Sequence, residues 1–278
     1  MGVAVGLGVA AVALMAAGAT QAAPGVDIRG AIARVTVIPE ARSDVAVFVT
    51  KANARLPLKI SRFGDRVVVD GGLGWRNINC HALFGRPSAS VWGIGNISYD
   101  DMPQIVVRTP LRASVGAGGA VFGAVGPGAG VELANSGCGD WTVANQSGPL
   151  QARMSGSGDV RTGAVASADV QISGSSDIHM VAVRNSLAAA VSGSGDVSAD
   201  RVDGFLRVRI GGSGDVKVKD GAVSDMNVSV AGSGDVRFGG VARTLVANIA
   251  GSGDVSVARV TGLVTKHVAG SGDVTIGR

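Results

Sequence analysis

The stretch Gly212-Ser213-Gly214-Asp215-Val216 is one copy of a motif that returns throughout the second half of the chain. Copies begin at Gly156, Gly174, Gly193, Gly212, Gly232, Gly251 and Gly270, which are 18, 19, 19, 20, 19 and 19 residues apart. Ser176 replaces the second glycine once, and a further copy, Gly137-Cys138-Gly139-Asp140, lies 19 residues upstream. A near-constant period marked by a turn-type tetrapeptide is typical of a solenoid, in which each repeat forms one coil.

Apolar residues flank the motif at alternate positions. With the first glycine of each of the eight copies as zero, positions −6, −4 and −2 hold 24 residues, of which 22 are apolar, and the exceptions are Asn135 and Lys266. Position +4 is always Val, Ile or Trp, and a further apolar residue stands near +9, as Val165 and Val241 do. Because alternate residues of a strand share one face, each coil is predicted to contain two strands and a third short segment with inward apolar side chains.

The predicted fold is therefore an all-β, single-domain parallel β-helix of about 19 residues per coil. Right-handed coiling is favoured because parallel crossovers have that hand, and a left-handed helix built on six-residue units is the alternative. Residues 111–278 form the regular coils, and residues 24–110 form irregular N-terminal coils that cap the stack.

Residues 71–103 lack the alternation and are predicted to form a long loop or excursion from the stack. Trp75, Trp92 and Tyr99 lie in this segment. They either cover the end of the core or form a contact surface for a partner. Cys80 lies there too, and we predict that it pairs with Cys138, the only other cysteine; two free thiols are the alternative.

The N-terminus predicts export. Val3 to Ala17 form an uncharged apolar run followed by Ala19-Thr20-Gln21-Ala22-Ala23, which resembles a secretory signal peptide, residues 1–23, with cleavage after Ala22 or Ala23. No Lys or Arg precedes the run, so a mis-assigned start codon or a retained anchor is the alternative. The mature chain, residues 24–278, is predicted to be periplasmic, outer-surface or secreted and to have no integral membrane segment.

The repeated aspartates are predicted to form a structural ladder at the turn, because an Asp side chain can accept hydrogen bonds from nearby backbone amides. The ladder comprises Asp140, Asp159, Asp177, Asp196, Asp215, Asp235, Asp254 and Asp273. Calcium binding is the sharper alternative, but the known calcium repeat reads Gly-Gly-x-Gly-x-Asp and occurs twice per coil. We predict no metal site and no cofactor.

Nothing in the sequence indicates catalysis. His81, His179 and His267 have no local signature that pairs them with a serine and an aspartate, so we expect them to be surface residues. A polysaccharide-cleaving β-helix needs clustered acids that interrupt the repeat, whereas these acids follow it. The net charge of +4 comes without a Lys/Arg run, which argues against nucleic acid as a partner.

The repeated Ser-Gly-Ser-Gly-Asp-Val of Ser155 to Val160 and Ser192 to Val197 resembles the head GIN domain family of autotransporter adhesins. So does the strand-like segment from Met102-Pro103 to Pro110, and the resemblance runs from about Val26 to Arg278. It implies an exported bacterial β-helix with an adhesive or envelope role and no established catalytic residues. The excursion with Cys80 departs from the family pattern.

These observations predict a non-enzymatic exported cell-envelope or secreted β-helix that acts as an adhesin-like interaction or structural module. Its partner is an unidentified protein or glycan at the cell envelope. The alternative is a glycan-binding or polysaccharide-acting β-helix that uses the same elongated surface.

Overall fold

The computed structural model describes residues 23–74, 78–83 and 86–277. The chain forms a β-solenoid of about nine stacked turns of ~19 residues, which confirms the predicted all-β solenoid. The predicted signal peptide lies outside the described residues except for Ala23. In the described part of the chain, no helix is both long and apolar enough to cross a membrane.

The described strands are β1 (Gly25–Glu40), β2 (Ala46–Lys51), β3 (Lys59–Phe63), β4 (Arg66–Asp70), β5 (Ile78–Leu83), β6 (Arg86–Val91), β7 (Gly95–Ser98), β8 (Gln104–Pro110), β9 (Arg112–Val125), β10 (Gly130–Asn135), β11 (Trp141–Val143), β12 (Leu150–Met154), β13 (Val160–Ile172), β14 (Ile178–Val191), β15 (Val197–Val202), β16 (Gly204–Ile210), β17 (Val216–Asp220), β18 (Ala222–Val230), β19 (Val236–Ile249), β20 (Val255–Val260), β21 (Val264–Val268) and β22 (Val274–Ile276). A 3-10 turn spans Tyr99–Asp101.

Equivalent strands of successive coils pair in parallel, so that equivalent residues stack. Val216 pairs with Val236, and Val236 pairs with Val255. Each of these three side chains is at most 1% exposed. The eight residues at position +4 are all buried, and they form a continuous inward ladder along the core, as the alternation predicts.

Two inward positions differ from the rest. Asn135 is 1% exposed, and its side chain donates to the Gly139 carbonyl at 3.0 Å and accepts from the Gly137 N–H at 3.1 Å. This polar side chain is buried because it satisfies the backbone of the first turn. Val241, which the sequence predicts to face inward, is 40% exposed. Burial alternates along β19, where Val236, Phe238 and Ala242 are buried, so Val241 lies on the outer face of the strand.

The N-terminal coils are stacked in a different order from the sequence. β1 pairs in parallel with β9 on one side and with β4 and β8 on the other, so the coil made by β4 and β8 lies outside β1. β2 then pairs antiparallel with β8, and β3 pairs antiparallel with β4. These two strands close the end of the stack.

The segment expected to be a long loop contains a three-stranded antiparallel sheet of β5, β6 and β7. Ala89, Val91 and Ile97 of this sheet form a second apolar cluster with Ile32 and Phe122, which lie on the solenoid. The sheet therefore packs on the outside of the solenoid with a small core of its own. The strands are short and contain Ser, Asn and Gly, so no regular alternation revealed them in the sequence.

Candidate functional site

The predicted aspartate ladder runs along the outer surface of the regular coils. The backbone N–H of each aspartate from Asp159 to Asp273 donates to Oδ1 of the preceding ladder aspartate, at 2.7 to 3.0 Å. The aspartate carbonyls accept in turn from the residue at +4 of the preceding coil, as Asp235 does from Val216 at 2.9 Å. Each ladder carboxylate from Asp140 to Asp254 thus ties its coil to the next one.

The motif glycines are required by the close approach of neighbouring turns. A Cβ added to Gly193, Gly212 or Gly232 would lie far inside contact distance of the carbonyl oxygen of the equivalent glycine one coil earlier. These glycines do not have positive φ angles. A Cβ on Gly211, directly before the motif, would meet nothing within 4 Å.

Three of the eight ladder aspartates are followed two residues later by a positive side chain, which is Arg161, Lys217 or Arg237. Arg237 Nη2 lies 2.8 Å from Asp235 Oδ2. Burial raises the pKa of the Asp159 carboxyl, and the charges of Asp140 and Asp177 add to this effect. A groove of about 460 Å³ lies between the carboxylates and the positive side chains.

Within the described residues, no three His, Cys, Asp or Glu side chains converge as a metal site would require. His81 and His267 are exposed, and His179 is half-buried. His179 lies with Nδ1 3.1 Å from Ser198 Oγ and with Nε2 3.5 Å from Asp200. Its neighbours are therefore a hydroxyl and a single carboxylate.

Cys80 and Cys138 form a disulfide with their Cα atoms 5.9 Å apart, across 58 residues of sequence. Cys80 belongs to β5, and Cys138 occupies the turn of the first motif copy. The bond therefore joins the outer sheet to the start of the aspartate ladder. Neither cysteine is free.

The three aromatic residues singled out from the sequence have different surroundings. Trp75 lies outside the described residues. Tyr99 packs edge-on against Phe122 with ring centroids 5.7 Å apart, and the Arg34 guanidinium lies 4.1 Å from its ring centre. Trp92 is 88% exposed, in the turn between β6 and β7. Tyr99 therefore attaches the sheet to the solenoid, whereas Trp92 is open to a partner.

A cleft of about 360 Å³ lies on the solenoid beside the outer sheet. Arg34, Tyr99, Gln104, Phe122 and Asp140 are among its lining residues. Arg34 of β1 lies opposite Phe122 of β9 in the strand register. Both side chains therefore lie on the outer face of the solenoid, where Asp140, the first aspartate of the ladder, also lies. Sequence reasoning did not find Arg34 or Gln104, because they come from strands whose order in the stack is not the order in the chain.

A second groove, with a larger volume of about 870 Å³, runs across the coils beside the residues that precede the motif. Its lining consists largely of Gly, Ala and Ser, with Arg29, Arg153 and Arg209 among the larger residues. Arg29 pairs with Asp27 at 3.3 Å, and Arg153 pairs with Glu132 at 3.1 Å. The solenoid therefore has extended surface grooves in addition to the cleft beside its outer sheet.

Comparison with known proteins gives one family and two similar structures. No curated protein matches this chain. A "putative lipid binding protein" from Parabacteroides distasonis ATCC 8503 is 15% identical over 92% of each chain, with a TM-score of 0.41. A "putative cell adhesion protein" from Clostridium sporogenes ATCC 15579 is 7% identical over 92% of this chain and 93% of that chain, with a TM-score of 0.23. Residues 185–277 match the family described as "Putative auto-transporter adhesin, head GIN domain".

Proposed function

We propose that this protein is a non-enzymatic, exported interaction module of the cell envelope. The regular coils form a stiff scaffold, and the outer sheet carries the contact to a protein or glycan partner outside the cytoplasm. The adhesin description of the family matched by residues 185–277 supports a binding role.

The observation that carries this proposal is the exposure of Trp92 on a sheet that is fixed in place. Trp92 is 88% exposed, and the Cys80–Cys138 disulfide ties its sheet to the solenoid. Large aromatic side chains contribute most of the energy at many binding surfaces. A side chain on a rigid support also loses less conformational freedom when it binds.

Seven of the ladder aspartates accept the same kind of backbone hydrogen bond, which supports a structural role for the ladder. A glycosidase needs two carboxyl groups with different protonation states beside the same bond. In this chain seven ladder carboxylates, Asp140 to Asp254, each accept the N–H of the next ladder aspartate. Glycan binding without cleavage remains one outcome of the test.

The test is a glycan-array and cell-surface binding screen of residues 24–278, run with and without calcium. We expect one class of ligand to bind, with at least about tenfold weaker binding by Trp92→Ala, as for the loss of an aromatic anchor. Phe205→Ala, at a residue 57% exposed on a regular coil, is the matched control and should bind normally. New reducing ends in a bound glycan would instead identify an enzyme, and unchanged binding by Trp92→Ala would place the contact elsewhere.

A further inference from the structure

The end of the stack formed by residues 45–66, called the end cap here, exposes apolar side chains on strands with one free edge. Within the described residues, β2 pairs only with β8, and β3 pairs only with β4. Their exposed apolar residues are Phe48 (52%), Val49 (40%), Ile60 (46%) and Phe63 (69%). Isolated apolar side chains on a surface are ordinary, but four on the two short strands that close the stack indicate a contact surface.

The end cap also holds an excess of positive charge equal to the net charge of the whole chain. Its cations are Lys51, Arg55, Lys59, Arg62 and Arg66, and its one acid is Asp65. The excess of four matches the net charge of +4, and the rest of the chain has 20 basic and 20 acidic residues. The sequence contains no Lys/Arg run, yet its excess of positive charge is concentrated in the end cap.

Some of these cations are bound within the protein, and others are available to a partner. Arg62 donates to the Val45 carbonyl at 2.6 Å, and Arg66 pairs with Asp27. Arg55 and Lys59 are exposed, and within the described part of the chain their side chains form no ion pair. Lys59 is the first residue of β3, the strand that carries Ile60 and Phe63, and Arg55 lies four residues before it.

Aromatic rings beside lysine and arginine side chains have the chemistry that binds the headgroup layer of a bilayer. Phe side chains enter the boundary between headgroups and acyl chains, while the longer cations reach the phosphates. Each Lys or Arg near an anionic membrane surface contributes about 1 kcal/mol of attraction. The free strand edges keep unpaired backbone groups, which restricts the contact to the hydrated headgroup layer.

The positive charge of the end cap favours an anionic bilayer over a second copy of the chain as its occupant. The first described strand begins beside the end cap, since Gly25 lies opposite Arg66 in the parallel register of β1 and β4, and Arg66 lies opposite Phe63 in β3. A second copy of the chain would place two positive end caps against each other.

We propose that the end cap docks this protein peripherally on a bilayer that contains anionic phospholipid. The contact is separate from the partner surface around Trp92. The long axis of the solenoid then points away from the membrane, and the aspartate ladder extends from it.

The test is co-sedimentation of residues 23–278, which include every described strand, with lipid vesicles. One set of vesicles is phosphatidylcholine alone, and the other contains about 30% phosphatidylglycerol to supply negative surface charge. We expect at least about tenfold stronger partitioning onto the anionic vesicles, reduced by high salt. The double variant Arg55→Glu/Lys59→Glu should lose at least about tenfold of this partitioning.

The matched control is Arg207→Glu/Arg209→Glu, which makes the same change in net charge at two exposed residues of β16. It should partition within about twofold of the parent protein, since both sites are remote from the contact. Phe63→Ser should weaken partitioning, whereas Phe205→Ser, at an exposed residue of a regular coil, should leave it unchanged. All variants are checked for a folded far-UV spectrum and for the absence of free thiols.

Three results would overturn the proposal. The first is no partitioning onto either set of vesicles, or equal partitioning onto both. The second is an equal loss in the Arg207→Glu/Arg209→Glu control, which would indicate attraction by overall charge alone. The third is a dimer in sedimentation velocity that Phe63→Ser abolishes, which would identify a second copy as the occupant. Because Trp92 is absent from this contact, a failure here leaves the proposed partner binding untouched.

Discussion

At the level of single residues, the glycine and aspartate positions of the motif serve separate needs, close packing between turns and hydrogen bonding between coils. The first need predicts opposite outcomes at two adjacent glycines. Gly212→Ala should destabilise the protein by at least about 2 kcal/mol, because its Cβ would overlap the Gly193 carbonyl oxygen. Gly211→Ala should be neutral or stabilising by up to about 1 kcal/mol, because its Cβ enters open space. Urea unfolding measures both, and equal losses would contradict the close-packing explanation.

The hydrogen bonding between coils predicts a modest loss of stability when Asp215 is replaced. Asp215→Asn should cost no more than about 1 to 2 kcal/mol, because the amide keeps an oxygen that can accept the Asp235 N–H. Asp273→Asn is the control, since its carboxylate accepts no N–H of a further ladder aspartate within the described chain. If Asp215→Asn abolished folding and calcium raised the melting temperature of the parent protein strongly, the ladder would be a calcium site instead.

At the level of secondary structure elements, sequence predicts strands where alternation and a repeated turn agree, and it fails where pairing is long-range. β16 and β17 flank Gly212 at the expected positions, and their inward residues are buried. The position of β1 between β9 and the β4–β8 coil depends on pairing across up to about 90 residues of chain, for which the sequence contains no local signal.

Long-range strand pairing also limits how much of the candidate site the sequence can predict. Cysteine counting identified Cys80 and Cys138 as a pair, because an exported chain with two cysteines has a single possible intramolecular bond. The cleft residues Arg34 and Gln104 carry no such signal. They face Tyr99 and Phe122 only because β1 and β8 are neighbours in the stack.

Reduction of the disulfide should loosen the outer sheet and leave the regular coils intact. The bond closes a loop of 58 residues, for which chain-entropy arguments give about 4 kcal/mol of stabilisation. Hydrogen exchange should therefore rise in residues 78–98 after reduction, while protection in β13 to β20 stays unchanged. In the unreduced, unfolded protein, two thiols that react with a labelling reagent would contradict the pairing.

At the level of the whole molecule, both ends of the described core carry a cation at an inward position. Arg62 lies opposite Val67 in the register of β3 and β4, and its side chain reaches the Val45 carbonyl at 2.6 Å. Lys266 lies opposite the buried Ala247, and its Nζ donates to the Val274 carbonyl at 2.6 Å. Since neighbouring residues in this register share a face, both side chains extend across an end of the apolar core. A charge at such a position opposes stacking of one solenoid on another.

Lys266→Met should therefore promote end-to-end association of one solenoid with another. The thioether side chain keeps the length of lysine but removes the charge and the hydrogen bond to Val274, so the last described coil gains an apolar face beside the free edges of β21 and β22. Sedimentation velocity at increasing protein concentration should show growing species for this variant. Lys217→Met, the same change at an exposed residue beside the aspartate ladder, should stay monomeric. Association of both variants would mean that loss of surface charge is sufficient, and association of neither would mean that Lys266 does not protect the end of the core.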